Sequence, residues 1–188
     1  MSALMKILIP YALVSMLHIR MNHTSAFIGI IMSPLFFSSL TTGILSALIV
    51  WLSGLLDIES WVVFLGATSY FASQDKGLKA LSYVWLTNAS GALWAIAIIL
   101  LSGVFREGIG AYLTTGIIAF MMCIQAKLPI FKFIPGTFLG AAAIFATDHA
   151  WPVAFMSLFF GAIFGFMMLH GGDLLHKHAN RNKAPVSA

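Results

Sequence analysis

The sequence predicts an all-α polytopic membrane protein: six transmembrane helices forming a 3+3 inverted-topology repeat with short central helices 2 and 5. Three observations carry this expectation. Of the 188 residues 60% are hydrophobic and 9% charged, with a mean hydropathy of +0.96, whereas a soluble domain carries about 25% charged residues. The charges that remain sit between apolar stretches. The chain also repeats itself at a fixed offset. This composition excludes an ordinary cytosolic enzyme, a disordered segment and a coiled coil. The lone cysteine, Cys123, excludes a disulfide scaffold, a zinc cluster and a redox pair.

Residues 1–31 precede the repeat. Ile7 to Leu17 is apolar but too short to span, and Pro10 interrupts it. Without a small-residue cleavage site, a signal peptide is not expected. Two readings stay open, an interfacial helix or a natural start at Met32. The first three-helix unit, 32–105, opens with an apolar span over 35–56. Its central element is the 15-residue uncharged stretch 60–74, between Glu59 and Asp75. Its third element is the long span 80–105. The second unit, 106–174, has a span over 108–126, a 15-residue uncharged stretch over 133–147 and a span over 149–172. Residues 175–188 form a basic tail. A spanning helix needs about 20 apolar residues, so the two short stretches, at roughly 22 Å each, are ambiguous by length.

The charges favour spanning. With six crossings the connections alternate sides. Lys6, Arg20, Lys76, Lys79, Lys127, Lys132, Lys177, Arg181 and Lys183 then collect on one side, nine of the ten basic residues. Asp57, Glu59, Arg106, Glu107 and Asp148 fall on the other. The basic side is expected to be cytoplasmic, and both termini with it. With four crossings that asymmetry disappears.

The repeat is independent of the charges. Leu40-Thr41-Thr42-Gly43-Ile44 recurs as Leu113-Thr114-Thr115-Gly116-Ile117, an offset of 73. Phe64-Leu65-Gly66-Ala67 recurs as Phe138-Leu139-Gly140-Ala141 at offset 74, and Phe71-Ala72-Ser73 matches Phe145-Ala146-Thr147 there too. In the third elements Thr87, Gly91 and Ala95 parallel Ser157, Gly161 and Gly165. Each unit has an odd number of spans, so the second enters the membrane from the opposite face.

Several strings, in order, resemble one family: Leu40-Thr41-Thr42-Gly43-Ile44-Leu45-Ser46, Phe64-Leu65-Gly66, Gly77-Leu78-Lys79, Met122-Cys123-Ile124-Gln125-Ala126-Lys127 and Pro135-Gly136-Thr137-Phe138. Over roughly residues 33 to 172 the chain is similar to the YcdZ-type inner-membrane proteins, the domain-of-unknown-function 1097 family. The resemblance implies a bacterial inner-membrane protein. It implies no functional residues, so a site must be argued from this sequence.

Inverted repeats with short central elements often hold a solute site at the repeat interface. Phe64 and Phe71, two turns apart, share a helix face, as do Phe138 and Phe145. Gly66 and Gly140 would let the two short segments approach one another. The expected path is therefore lined by Phe64, Gly66, Thr68, Phe71, Thr137, Phe138, Gly140 and Phe145; the bland alternative is that these residues only pack. Asn88 joins them, because an amide in mid-span needs a partner. The other interior polar groups, Thr41, Thr42, Ser69, Ser90, Thr114, Thr115 and Gln125, read mainly as structural, since hydroxyls bond back to the preceding turn.

No Asp, Glu, Lys or Arg falls within the six expected spans, so a charge-coupled carrier is disfavoured. Asp75, Asp148 and His149 read as solvated loop residues. Trp61, Trp94 and Trp151 read as interfacial belt residues, and Cys123 as packing. No acid–base pair, metal spacing or phosphate loop points to an enzyme, a cofactor or a metal, and no nucleic-acid partner is expected. The leading expectation is a channel or facilitator for a small, uncharged solute, self-associated in the lipid bilayer. The alternatives are a non-transporting assembly or regulatory subunit, offering Thr87/Gly91/Ala95 and Ser157/Gly161/Gly165 to a partner, and a secondary transporter.

Overall fold

A computed structural model describes residues 33–73, 75–104 and 108–181. The expectations for residues 1–31, for Arg106 and Glu107, and for Lys183 lie outside the described residues. Six helices make up the described chain: α1 Pro34–Leu56, α2 Ser60–Ala72, α3 Gly77–Val104, α4 Ile109–Ile124, α5 Ile134–Ala146 and α6 Trp151–Arg181. Two short 3-10 turns, Gln125–Lys127 and Pro129–Phe131, join α4 to α5.

Local chemistry sets the helix boundaries. Ser33 caps α1, its Oγ accepting from the Phe36 amide at 3.2 Å, and Pro34 follows in the first turn. The helix stops at Asp57, whose left-handed backbone (φ 53°) lets its amide bond the Ser53 carbonyl. Gly77, at φ 75°, provides the turn into α3, and Gly108, at φ 132°, the turn into α4. Pro135 sits in the first turn of α5.

Four segments are long and apolar enough to cross a membrane: Pro34–Leu56, Gly77–Val104, Ile109–Lys127 and Trp151–Arg181. The helices α2 and α5 have 13 residues each, about 20 Å. Two boundaries differ from expectation. The helix α3 begins three residues early, at Gly77 rather than 80, and α6 continues nine residues past 172 to Arg181. At 31 residues α6 is about 46 Å long, against a hydrocarbon core of about 30 Å. Asp173, Lys177 and Arg181 lie on the surplus turns.

The short helices are packed on long helices from the other half of the chain. The helix α2 runs parallel to α6, with Val63 against Gly161 and Ala67 against Gly165. The helix α5 runs parallel to α3, with Gly136 against Thr87 and Ala141 against Gly91. The helix α1 runs antiparallel to α6: Ser38 meets Gly172, and the Thr41 hydroxyl donates to the Met168 carbonyl at 2.7 Å. Lipid tails give helices no hydrophobic reason to associate, so close backbone approach at small residues does this work. At Gly66, Gly91, Gly140 and Gly161 an added Cβ would overlap a carbonyl oxygen of the facing helix.

The short connections gather into two ends. The α2–α3 and α4–α5 connections meet in an ion pair, Lys132 Nζ to Asp75 at 3.1 Å. This basic end also carries Lys76, Lys79, Lys127 and the end of α6. The opposite, acidic end carries Asp57, Glu59 and Asp148. Between them Val62, Ala92, Ala95, Ile98, Ile144 and Leu158 are in the main core, while Leu35, Trp51, Leu100, Tyr112 and Phe120 stay exposed. An apolar exterior around a small-residue core is the arrangement of a helical membrane protein.

Candidate functional site

The interior contains few polar groups, so each needs an account. Asn88 lies midway along α3 and is 1% exposed. Its backbone faces Gly140 of α5, and its Oδ1 accepts a 2.7 Å hydrogen bond from the Ser69 hydroxyl of α2. The side-chain nitrogen of Asn88 is buried without a partner, and so is the Ser157 hydroxyl oxygen on α6. A buried polar atom left unbonded costs on the order of 1–3 kcal/mol, and native structures hold few of them. Thr87, one residue earlier, avoids that cost by bonding back to the carbonyls of Tyr83 (2.9 Å) and Val84 (3.0 Å).

A cleft of about 380 Å³ opens at the basic end above this pair. Its walls are Ala72 and Ser73 from the end of α2, Ala80 and Tyr83 from α3, and Phe133 to Pro135 at the start of α5, with Asp75 and Lys132 at the rim. Ser73 is one helical turn, about 6 Å, from Ser69. The three helices that meet at Asn88 are thus the ones that form the cleft.

A second polar cluster lies between α3, α4 and α5. Gln125 Oε1 accepts from the Ser90 hydroxyl (2.8 Å) and from the Trp94 indole N–H (2.9 Å), and Gln125 Nε2 donates to Thr137 Oγ1 (3.1 Å). An indole N–H can only donate, which fixes which way the amide points. A lateral groove of about 490 Å³ borders this cluster, with walls that include Leu86, Leu93, Ala97 and Phe131.

The nine expected path residues divide into two sets. Gly66, Asn88, Thr137 and Gly140 are buried where helices cross. Phe71, Phe138 and Phe145 are 40%, 44% and 47% exposed, Thr68 is exposed as well, and Phe64 is half-buried. Phe71, Phe138, Phe145 and Thr68 therefore face outward, while Phe64 packs against the Ile49, Val63, Ala67 and Met168 cluster. The glycines also do different work from that expected: Gly66 meets Leu158 and Gly161 of α6, and Gly140 meets Asn88 of α3. The small-residue faces expected to receive a partner are filled from within. Gly161 packs on the Val63 carbonyl, and Gly91 on that of Thr137.

Three further placements depart from expectation. Trp94 turns its N–H inward to Gln125. Cys123 is exposed on the apolar exterior of α4. Asp75 is ion-paired with Lys132. Asp148 and His149 are exposed loop residues, both with left-handed backbone (φ 46° and 69°). From the sequence Ser69 and Gln125 read as structural span groups, and Ser157 as part of a small-residue face. The argument applied to Asn88, that a mid-membrane amide needs a partner, would have singled out Gln125 too.

Residues 39–173 match the family model described as "Protein of unknown function (DUF1097)". The chain is 45% identical to Inner membrane protein YcdZ of Escherichia coli over 135 residues, covering 71% of this chain and 83% of that protein. It is 42% identical to Inner membrane protein YcdZ of Salmonella typhimurium over 147 residues, covering 78% of this chain and 92% of that protein. No solved structure matches.

Proposed function

This chain belongs to the DUF1097 family, and from its geometry we propose that it is a non-enzymatic channel or facilitator for a small, uncharged solute in the bacterial inner membrane. The observation that carries the proposal is Asn88, a fully buried amide with an unbonded N–H donor at the crossing of α3 with α5 and α2. A buried donor held open is costly in a membrane, where no bulk water can satisfy it. A solute that offers a carbonyl or hydroxyl oxygen satisfies it in passing. In this reading the solute enters at the basic-end cleft and passes Ser73 toward the buried Ser69 and Asn88. Below the Asp75–Lys132 rim, the buried residues around Ser69 and Asn88 carry no charge, so an ion would lose its hydration there without compensation.

The reading includes a 3+3 inverted repeat of six crossings, with both termini cytoplasmic. Two mirrored contacts support it. Gly66 lies against the Leu158 carbonyl as Gly140 lies against that of Asn88, and Gly161 against Val63 as Gly91 against Thr137. Positions 63 and 137 differ by 74, as do 66 and 140; positions 88 and 158 differ by 70, as do 91 and 161. The short helices cross because hairpins at both of their ends return the chain. Reporter fusions after Arg181 and within the Asp57–Glu59 and Asp75–Lys79 connections test the topology; a periplasmic reporter at Asp75–Lys79 would contradict it.

The flux reading is tested with the purified full chain in liposomes, exposed to steps of urea, acetamide, glycerol and other small neutral solutes. Faster equilibration than protein-free vesicles for at least one solute, absent for sodium and chloride, is the expected result. No excess flux for any of them, with the protein verified as folded, rejects the reading.

A further inference from the structure

The cleft at the basic end carries chemistry that a neutral solute does not need. Lys132 stands at its rim with Nζ 3.1 Å from the Asp75 carboxylate and 5.5 Å from the centre of the Tyr83 ring. Lys79 reaches the same ring at 5.9 Å. One ammonium group, that of Lys132, therefore lines the cleft opposite one carboxylate, and a second, that of Lys79, lies by the Tyr83 ring nearby. The helix α5 starts in the wall of the cleft, and no side chain caps its first turn. The positive end of its dipole adds to the same field. Beneath this rim the lining is mostly apolar, Ala72, Ala80, Phe133, Ile134 and Pro135, with Ser73 and Tyr83 beside them.

We propose that this cleft is a binding site for a short-chain carboxylate, whose carboxylate group takes the place that Asp75 holds on Lys132 and whose alkyl part lies on the Ile134 and Pro135 wall. The volume of about 380 Å³ lies within the range of small-molecule pockets. The pair to be exchanged is weak, because the side chains of Lys132 and Asp75 are 52% and 36% exposed and water screens their attraction. A ligand carboxylate replaces like with like and adds burial of its alkyl group, which Asp75, fixed at the rim, does not supply. Asp75 is thus an internal competitor for the site. The inference does not rest on the flux reading, since a ligand can bind at the mouth whether or not any solute passes beyond it.

Binding is measured on the full chain in detergent, by saturation-transfer NMR on propionate exchanged against chloride at constant ionic strength. Saturable binding with a dissociation constant on the order of 1–10 mM is expected, with the neutral isostere propionamide binding at least about fivefold more weakly. Lys132→Gln should weaken propionate about fivefold or more, Lys132→Arg should retain it, and Lys127→Gln, outside the cleft, should leave it unchanged. Asp75→Asn should tighten it severalfold, an effect that mere loss of a structural ion pair does not produce. The proposal is overturned by absence of propionate binding up to roughly 100 mM, by equal binding of propionamide, or by an Asp75→Asn variant that binds no better than the parent. No transport is read in this experiment, so its failure leaves the flux reading intact, and a failed flux assay leaves this site intact.

Discussion

The two places where a short helix packs on a long one are built alike and filled differently. Where α2 meets α6, the surroundings are apolar: Ile49, Val63, Ala67 and Met168, with Leu45, Phe64 and Phe164 packed against them. Where α5 meets α3, an apolar core of Ala92, Ala95, Ala141 and Ile144 is joined by a polar set, Thr137, Gln125, Ser90 and Trp94, in continuous hydrogen bonds. The glycine contacts beneath are the same in kind on both sides. Backbone approach therefore supplies the common frame. The polar filling is an addition that frame does not need, which is why chemistry is sought on the α5–α3 side.

The largest expected effect tests the shared frame. Gly91→Val and Gly161→Val each force a side chain into a carbonyl of the facing helix. Both should cost about 3 kcal/mol or more, since the obstacle is backbone and cannot rotate away. Gly43→Ala and Gly116→Ala, at glycines with nothing within 4 Å, should change stability by less than about 0.5 kcal/mol. Melting in detergent followed by size-exclusion recovery checks all four. Unequal losses at Gly91 and Gly161 would break the comparison.

The next effect separates the two fillings. Gln125→Leu strands the Trp94 N–H and the Ser90 and Thr137 hydroxyls, and should cost about 1–2 kcal/mol. Adding Thr137→Val should cost less than the sum of the two single changes, by roughly 0.5 kcal/mol, because both remove the same hydrogen bond. A smaller effect concerns Asn88. Leu158 occupies the mirrored position on α6, so Asn88→Leu should leave the melting temperature nearly unchanged: it deletes one hydrogen bond and one unbonded donor together, and the freed Ser69 hydroxyl is able to bond back to the preceding helical turn as Thr87 does. Ser157→Ala should be neutral or stabilising by a few tenths of a kcal/mol, since the hydroxyl it removes has no partner.

The sequence made the helical, membrane-embedded character and the short central elements legible, because charge scarcity and apolar run length act locally. It also pointed to Gly66 and Gly140 as close-approach positions, and to Gly91 and Gly161 as small-residue faces for a partner. It misplaced what they touch. Two short segments at the same relative place invite the guess that they meet, but which helix a glycine faces depends on how the whole bundle closes. The phenylalanine spacing says which rings share a face, yet Phe71, Phe138 and Phe145 look outward while Phe64 packs inward. A period of 3.6 says which residues lie together, not where the face looks. Gln125 and Ser90 are 35 residues apart, and only their folded juxtaposition reveals the cluster. The surplus turns of α6 were missed because the tail looked too polar for a span, although helix outside a membrane tolerates Asp173, Lys177 and Arg181 on exposed faces.

The central claim is that a small neutral solute passes Asn88. Its most direct test compares parent and Asn88→Leu protein in the same liposomes, with stability measured on both. The account predicts parent flux of at least one neutral solute above the protein-free rate, and a loss of most of that excess in Asn88→Leu at an unchanged melting temperature. Equal flux through the two proteins would contradict it.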